Sequence, residues 1–146
     1  MSSSSALILI VDDDADDRLL IEDAFRDREV RNPRRYLTDG EQLMDYLRRR
    51  GIYTDAGAHP IPGLILLDLN MPRKDGREAL REIKSDPALR HIPVVVLTTS
   101  KAAEDISRTY RDGGNSFITK PAMYTALLDL VRTLGNYWLR IVDLPN

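Results

Sequence analysis

The chain has 146 residues, 42% hydrophobic and 30% charged, a length and balance suited to one soluble globular domain with its own core. With 21 basic against 23 acidic residues the net charge is −2, so no overall field draws it to nucleic acid or an anionic membrane. It contains no cysteine, which removes disulfides, thiolate metal sites and cysteine nucleophiles together.

Met1–Ser5 is a polar leader expected to be disordered. Ala6–Val11 (ALILIV) reads as a first strand buried on both faces, too short for a membrane span or a signal-peptide core. A cytoplasmic protein with neither a membrane nor a nucleic-acid partner is the expectation. The strand runs into Asp12, Asp13 and Asp14, and Asp14 is placed to cap a helix with Asp17 three residues on. That helix should reach about Arg28 and bury Leu19, Leu20, Ala24 and Phe25. Tyr36–Thr38 is a short second strand. After the turn at Asp39-Gly40, Leu43, Met44 and Leu47 form the apolar stripe of a second helix. Gly51–Gly63 has no period and reads as a long loop.

Leu64–Leu67 is a continuous apolar run that ends on Asp68, with turn-formers Asn70, Pro72 and Gly76 behind it. A third helix is expected from Gly76 to Ser85, with Ala79, Leu80 and Ile83 inward, then a β-branched fourth strand over Pro93–Thr98. Lys101–Arg111 is a fourth helix closed by Gly113-Gly114. Ser116–Thr119 is a fifth strand, and Pro121 breaks the chain before a last helix from about Met123. Five strands alternating with helices argue for an α/β domain on a doubly wound parallel sheet with helices on both faces. Right-handed crossovers bring Asp12, Asp13, Asp68, Thr98 and Lys120 to one sheet edge.

Carboxylates gathered there repel one another unless a cation sits among them. A hard divalent ion such as Mg²⁺ suits carboxylates plus a phosphate, while Lys120 and the Thr98 hydroxyl suit phosphoryl oxygens. A carboxylate nucleophile, a metal and a cationic clamp describe phosphoryl transfer onto Asp68. The basic runs Arg31, Arg34, Arg35 and Arg48-Arg49-Arg50 read as solvated faces, and neither His59 nor His91 has a paired metal ligand in sequence.

The pieces VDD (Val11–Asp13), LDLNMPRKDG (Leu67–Gly76), VVVLTTS (Val94–Ser100) and FITKP (Phe117–Pro121), in that order, resemble the receiver domain of two-component response regulators. The resemblance spans Ala6 to about Leu134 and implies a flavodoxin-like fold of strand order 2-1-3-4-5. It implies Asp68 as phosphoacceptor for a sensor histidine kinase, Mg²⁺ (or Mn²⁺) on Asp12, Asp13, Asp68 and the Asn70 carbonyl, and Thr98 and Lys120 on the phosphoryl group. Phe117 would be the switch aromatic, Asn70 and Ser100 would tune self-dephosphorylation, and Lys120-Pro121 would be a cis peptide. The long loop and the tail Gly135–Asn146 are similar to stand-alone regulators of bacterial and cyanobacterial phytochrome kinases, with no output domain. In that tail Tyr137, Trp138, Ile141, Val142 and Leu144 exceed what one buried face needs, so a homodimer through the last helices is expected.

Two other readings compete with this signalling, non-enzymatic one. An aspartyl-phosphate phosphatase usually has a second acid two residues after its nucleophile, where this chain has Asn70. A receiver-fold binding module would hold its partner without phosphate.

Overall fold

Alternate residues of each central strand point to opposite faces of the sheet, and here both faces are covered. In β1 (Ile8–Val11), Leu9 and Val11 enter one core and Ile8 and Ile10 the other; in β3 (Leu64–Leu67), Ile65 and Leu67 oppose Leu64 and Leu66. The structure, a computed structural model, describes residues 6–141 and 143–145. The expected leader Met1–Ser5, Val142 and the Ile141 side chain lie outside the described residues.

The remaining elements are α1 (Ala15–Asp27), β2 (Arg34–Leu37), α2 (Gly40–Leu47), α3 (Gly76–Ser85), β4 (Val94–Thr98), α4 (Ala103–Arg111), β5 (Ser116–Thr119) and α5 (Tyr124–Asn136). All five strands are parallel in the order β2-β1-β3-β4-β5, the doubly wound order expected. One core sets Leu43, Met44, Tyr46, Leu80 and Ile83 of α2 and α3 on the sheet; the other sets Ile21, Phe25, Leu127, Val131 and Leu134 of α1 and α5 on the opposite face.

The α1 stripe differs from expectation. Ile21, Ala24 and Phe25 are buried, whereas Leu19 is 61% and Leu20 44% exposed. At about 100° per residue Ile21 lies midway between Ala24 and Phe25, while Leu19 points almost the opposite way. The second strand also starts two residues early, at Arg34.

Loop 51–63 is anchored rather than slack. It opens with one 3₁₀ turn (Gly51–Tyr53), and Tyr46, Tyr53 and His59 pack with ring centroids 5.2–5.8 Å apart. The Arg35 guanidinium lies 2.6 Å from His59 Nδ1, and the Tyr46 hydroxyl donates to the Pro60 carbonyl at 2.7 Å. Beyond α5 a π-helical turn (Tyr137–Ile141) buries Leu139, which was not among the apolar tail residues singled out, and leaves Tyr137 52% exposed.

Candidate functional site

In an open parallel sheet, ligands sit beyond the carboxyl ends of the strands, where neighbouring connections leave in opposite directions. Here that point lies between β1 and β3. Asp12 directly follows β1, Asp68 directly follows β3, Thr98 closes β4 and Lys120 directly follows β5. The Asp68 N–H donates to the Val11 carbonyl at 3.0 Å and the Lys120 N–H to the Thr98 carbonyl at 2.7 Å. Strand pairing thus fixes both backbones.

The Lys120 ammonium donates to Asp12 Oδ2 at 2.5 Å, Asp17 Oδ2 at 2.8 Å and Asp68 Oδ2 at 3.1 Å. Burial works against its charge, but the hydrogen bonds to Asp12 and Asp17 outweigh that and hold its pKa above the ordinary lysine value. Asp12 is 2% exposed, and burial pushes its carboxyl above the usual range despite Lys120. Asp13 is exposed, and one oxygen each from Asp12, Asp13 and Asp68 lie within 4.8 Å of one another. One ammonium therefore faces more carboxylate charge than it can balance. A hard divalent cation with oxygen ligands fits this donor set chemically.

The Thr98 hydroxyl is fully buried and has no hydrogen-bond partner among the described residues. A buried hydroxyl normally finds an acceptor, so an unused one at the carboxyl end of β4 suits an incoming oxygen ligand. The Asn70 N–H points at Asp68 Oδ1 at 3.4 Å. Phe117 is half-buried against the α2/α3 core, and its N–H donates to the Tyr110 hydroxyl at 3.1 Å.

Asp12, Asp13, Asp68 and Lys120 come together as expected, with Thr98 bonded to Lys120 through the backbone. Asp17 was read only as part of the α1 cap, yet it binds Lys120. Asp14 is the cap, accepting from the Asp16 and Asp17 N–H groups, and that turn faces Asp17 toward the sheet edge. An acid in the first turn of a helix that begins at a strand's carboxyl end was the available signal. The Lys120–Pro121 bond is trans, as is every peptide bond among the described residues, which corrects the expected cis linkage. Trans is the lower-energy X–Pro isomer by about 0.5–1 kcal/mol. With it the ammonium already reaches all three carboxylates, so nothing opposes that preference.

Five parallel strands in this order, with acids after β1 and β3 and a lysine after β5, define a receiver. The chain belongs to the response regulator receiver domain family, which matches residues 8–132. It is 39% identical over 144 residues to Response regulator Rcp1 of Synechocystis sp., covering 99% of this chain and 96% of that protein. The phosphorylated cyanobacterial phytochrome response regulator RcpA superposes with a TM-score of 0.90 at 43% identity, covering 97% of this chain and 99% of RcpA. The Mn²⁺-bound form of Rcp1 gives 0.88 at 39% identity over 97% and 99% of the two chains. The chain is thus a two-component signalling protein whose partner is a histidine kinase, with an acidic cluster suited to a divalent cation. Among the described residues no helix is long and apolar enough to cross a membrane.

Proposed function

We propose that Asp68 accepts the phosphoryl group, with Asp12, Asp13, Asp68 and the Asn70 carbonyl holding Mg²⁺ (or Mn²⁺). An oxygen of Asp68 attacks phosphorus, the P–N bond of the kinase phosphohistidine breaks, and its electron pair returns to the imidazole. The bound ion would neutralise charge on the transferring oxygens. Lys120 holds its ammonium beside Asp68 and supplies the second positive charge. Thr98 offers a buried donor to a phosphoryl oxygen, and Phe117, which pairs with Val96 two residues before Thr98, follows as Thr98 moves. Such local charge and packing changes bias a two-state element. The observation that carries the reading is a buried, unpartnered hydroxyl on Thr98, whose carbonyl accepts from the Lys120 N–H, together with the Lys120 ammonium 3.1 Å from Asp68.

The kinase partner is a phytochrome, a reading supported by the similarity to RcpA and Rcp1. Output runs through a homodimer of the last helices, a reading supported by the exposed Tyr137 stacked edge-on against Trp138 at 5.4 Å. The protein acts in the cytoplasm as a phosphoacceptor rather than a turnover enzyme.

The test is to incubate wild type and Asp68→Asn with acetyl phosphate and Mg²⁺, then with a competent kinase, following intact mass and apparent size. A phosphoryl adduct on wild type alone is expected, with a rise in apparent size. An adduct that persists on Asp68→Asn, or none even with the kinase, overturns the assignment.

A further inference from the structure

The end of the sheet away from Asp68 carries a cavity that the phosphoryl chemistry does not use. There, at the amino ends of the strands, α1 finishes, residues 28–33 lead to β2, and α5 passes into its π-helical turn. These segments form a cavity of about 380 Å³, a size typical of small-molecule sites. Arg28, Arg31, Arg132 and Arg140 line it, Leu139 lies in its wall, and Glu29 is the one acid among its lining residues.

Four guanidinium groups meet too few carboxylates here. Asp129 lies 3.8 Å from Arg28 and 3.5 Å from Arg132, so one carboxylate, itself 66% exposed, serves two arginines. The Arg31 and Arg140 side chains have no ion-pair or hydrogen-bond partner among the described residues. Arg26 and Arg34 nearby are by contrast bound to Glu22. A cation at a helix C-terminus is ordinary and accounts for Arg28 and Arg140. It does not account for Arg31, beyond α1, or for Arg132, inside α5. In a chain of net charge −2 this local surplus has its complement in an anion from outside. A guanidinium fork pairs two donors with neighbouring oxygens, and two linked phosphates offer enough oxygens to engage several forks at once.

We propose that this cavity binds a small soluble molecule carrying two linked phosphate groups, held by Arg31 and Arg140 with Arg28 and Arg132 beside them. The inference is independent of the reading of Asp68. Such a ligand touches the end of α1, the connection to β2 and the end of α5 together, so its binding raises the stability of the fold by linkage. In chelator the cluster of Asp12, Asp13 and Asp68 is a poor rival for it, because carboxylates there outnumber the single ammonium and repel an anion.

The experiment titrates inorganic pyrophosphate calorimetrically, in chelator, into wild type and four variants. Arg31→Ala with Arg140→Ala removes two exposed, unpaired side chains and should spare the fold, which the unfolding midpoint without ligand checks. This variant should bind about thirty-fold more weakly. The charge-matched control, Arg90→Ala with Arg111→Ala, removes two exposed arginines away from the cavity and should change affinity less than about two-fold. Arg31→Lys with Arg140→Lys should recover part of the loss, since each lysine keeps the charge without the fork. Glu29→Gln should tighten binding about three-fold by removing the like charge from the wall. On binding, amide exchange should slow over residues 28–32 and 132–140. No binding at millimolar pyrophosphate, unchanged affinity in the double alanine variant, an equal loss in the control, or weaker binding by Glu29→Gln each overturn the site. Co-sedimentation with vesicles rich in phosphatidic acid that requires Arg31 and Arg140 would place the phosphate on a lipid and overturn the soluble ligand.

Discussion

Two charged clusters sit on this fold and are built in opposite ways. On the α1 side, Glu22 accepts from Arg34 Nε and Nη2 at 2.8 Å each, from the Tyr36 hydroxyl at 2.7 Å and from Arg26 Nε at 2.8 Å. One carboxylate is saturated by donors, and the Arg34 hydrogen bonds hold its pKa down to about 2. At the sheet edge the ratio is inverted, with one ammonium shared among Asp12, Asp17 and Asp68 and with Asp13 alongside. The first cluster is complete and ties α1 to β2. The second is short of positive charge and can be completed only from outside. Its unmet balance is what makes it a site.

The largest effect should come from removing the one cation of the deficient cluster. Lys120→Met leaves Asp12 buried beside Asp68 without a cationic partner and should cost about 3 kcal/mol of unfolding free energy in chelator. Denaturant titration should show much of that loss recovered in millimolar Mg²⁺, because a cation then fills the place the ammonium left. An equal loss with and without metal would break the comparison.

A smaller effect tests the saturated cluster. The folded pKa of Glu22 lies below its ordinary 4.5. Its stabilisation is therefore fully present above pH 4.5 and is lost as pH falls toward about 2. Glu22→Gln should be less stable than wild type by about 2 kcal/mol at pH 7, with the gap closing across that acid window. A gap constant with pH would show that shape rather than charge holds the cluster. The smallest effect belongs to Asp17→Asn, which removes one of three competing acids and an acid from the first turn of α1. These oppose each other, so thermal unfolding should shift stability by no more than about 0.5 kcal/mol.

How far the sequence reached depended on whether a feature is local. Leu64–Leu67 and Val94–Thr98 could be read because continuous apolar runs report burial on both faces, and the expected span Gly76–Ser85 of α3 is the one observed, with Asp75 as a cap that the sequence reading did not single out. Asp12, Asp68 and Lys120 were legible because each follows a recognisable strand. The exposure of Leu19 and Leu20 was not, because apolar spacing alone leaves the rotation of a short stripe undecided. Nor was the Arg77–Asp105 pair, whose partners lie 28 residues apart on different helices with nothing in either segment to single them out. The hold of Arg35 on His59, 24 residues away, escaped for the same reason, and it anchors the loop that was read only as long.

A Cβ at Gly76 would overlap the Asp68 carbonyl oxygen, and the Gly76 N–H donates to the Leu69 carbonyl at 2.9 Å. The end of β3 at Asp68 and the head of α3 are therefore packed backbone to backbone. α4 is joined differently: Ala102 at its start offers no side-chain cap, and its first turn is held through side chains, with Arg77 of α3 donating to both oxygens of Asp105 at 2.8 Å. The sheet edge is thus mounted through backbone atoms toward α3 and through side chains toward α4.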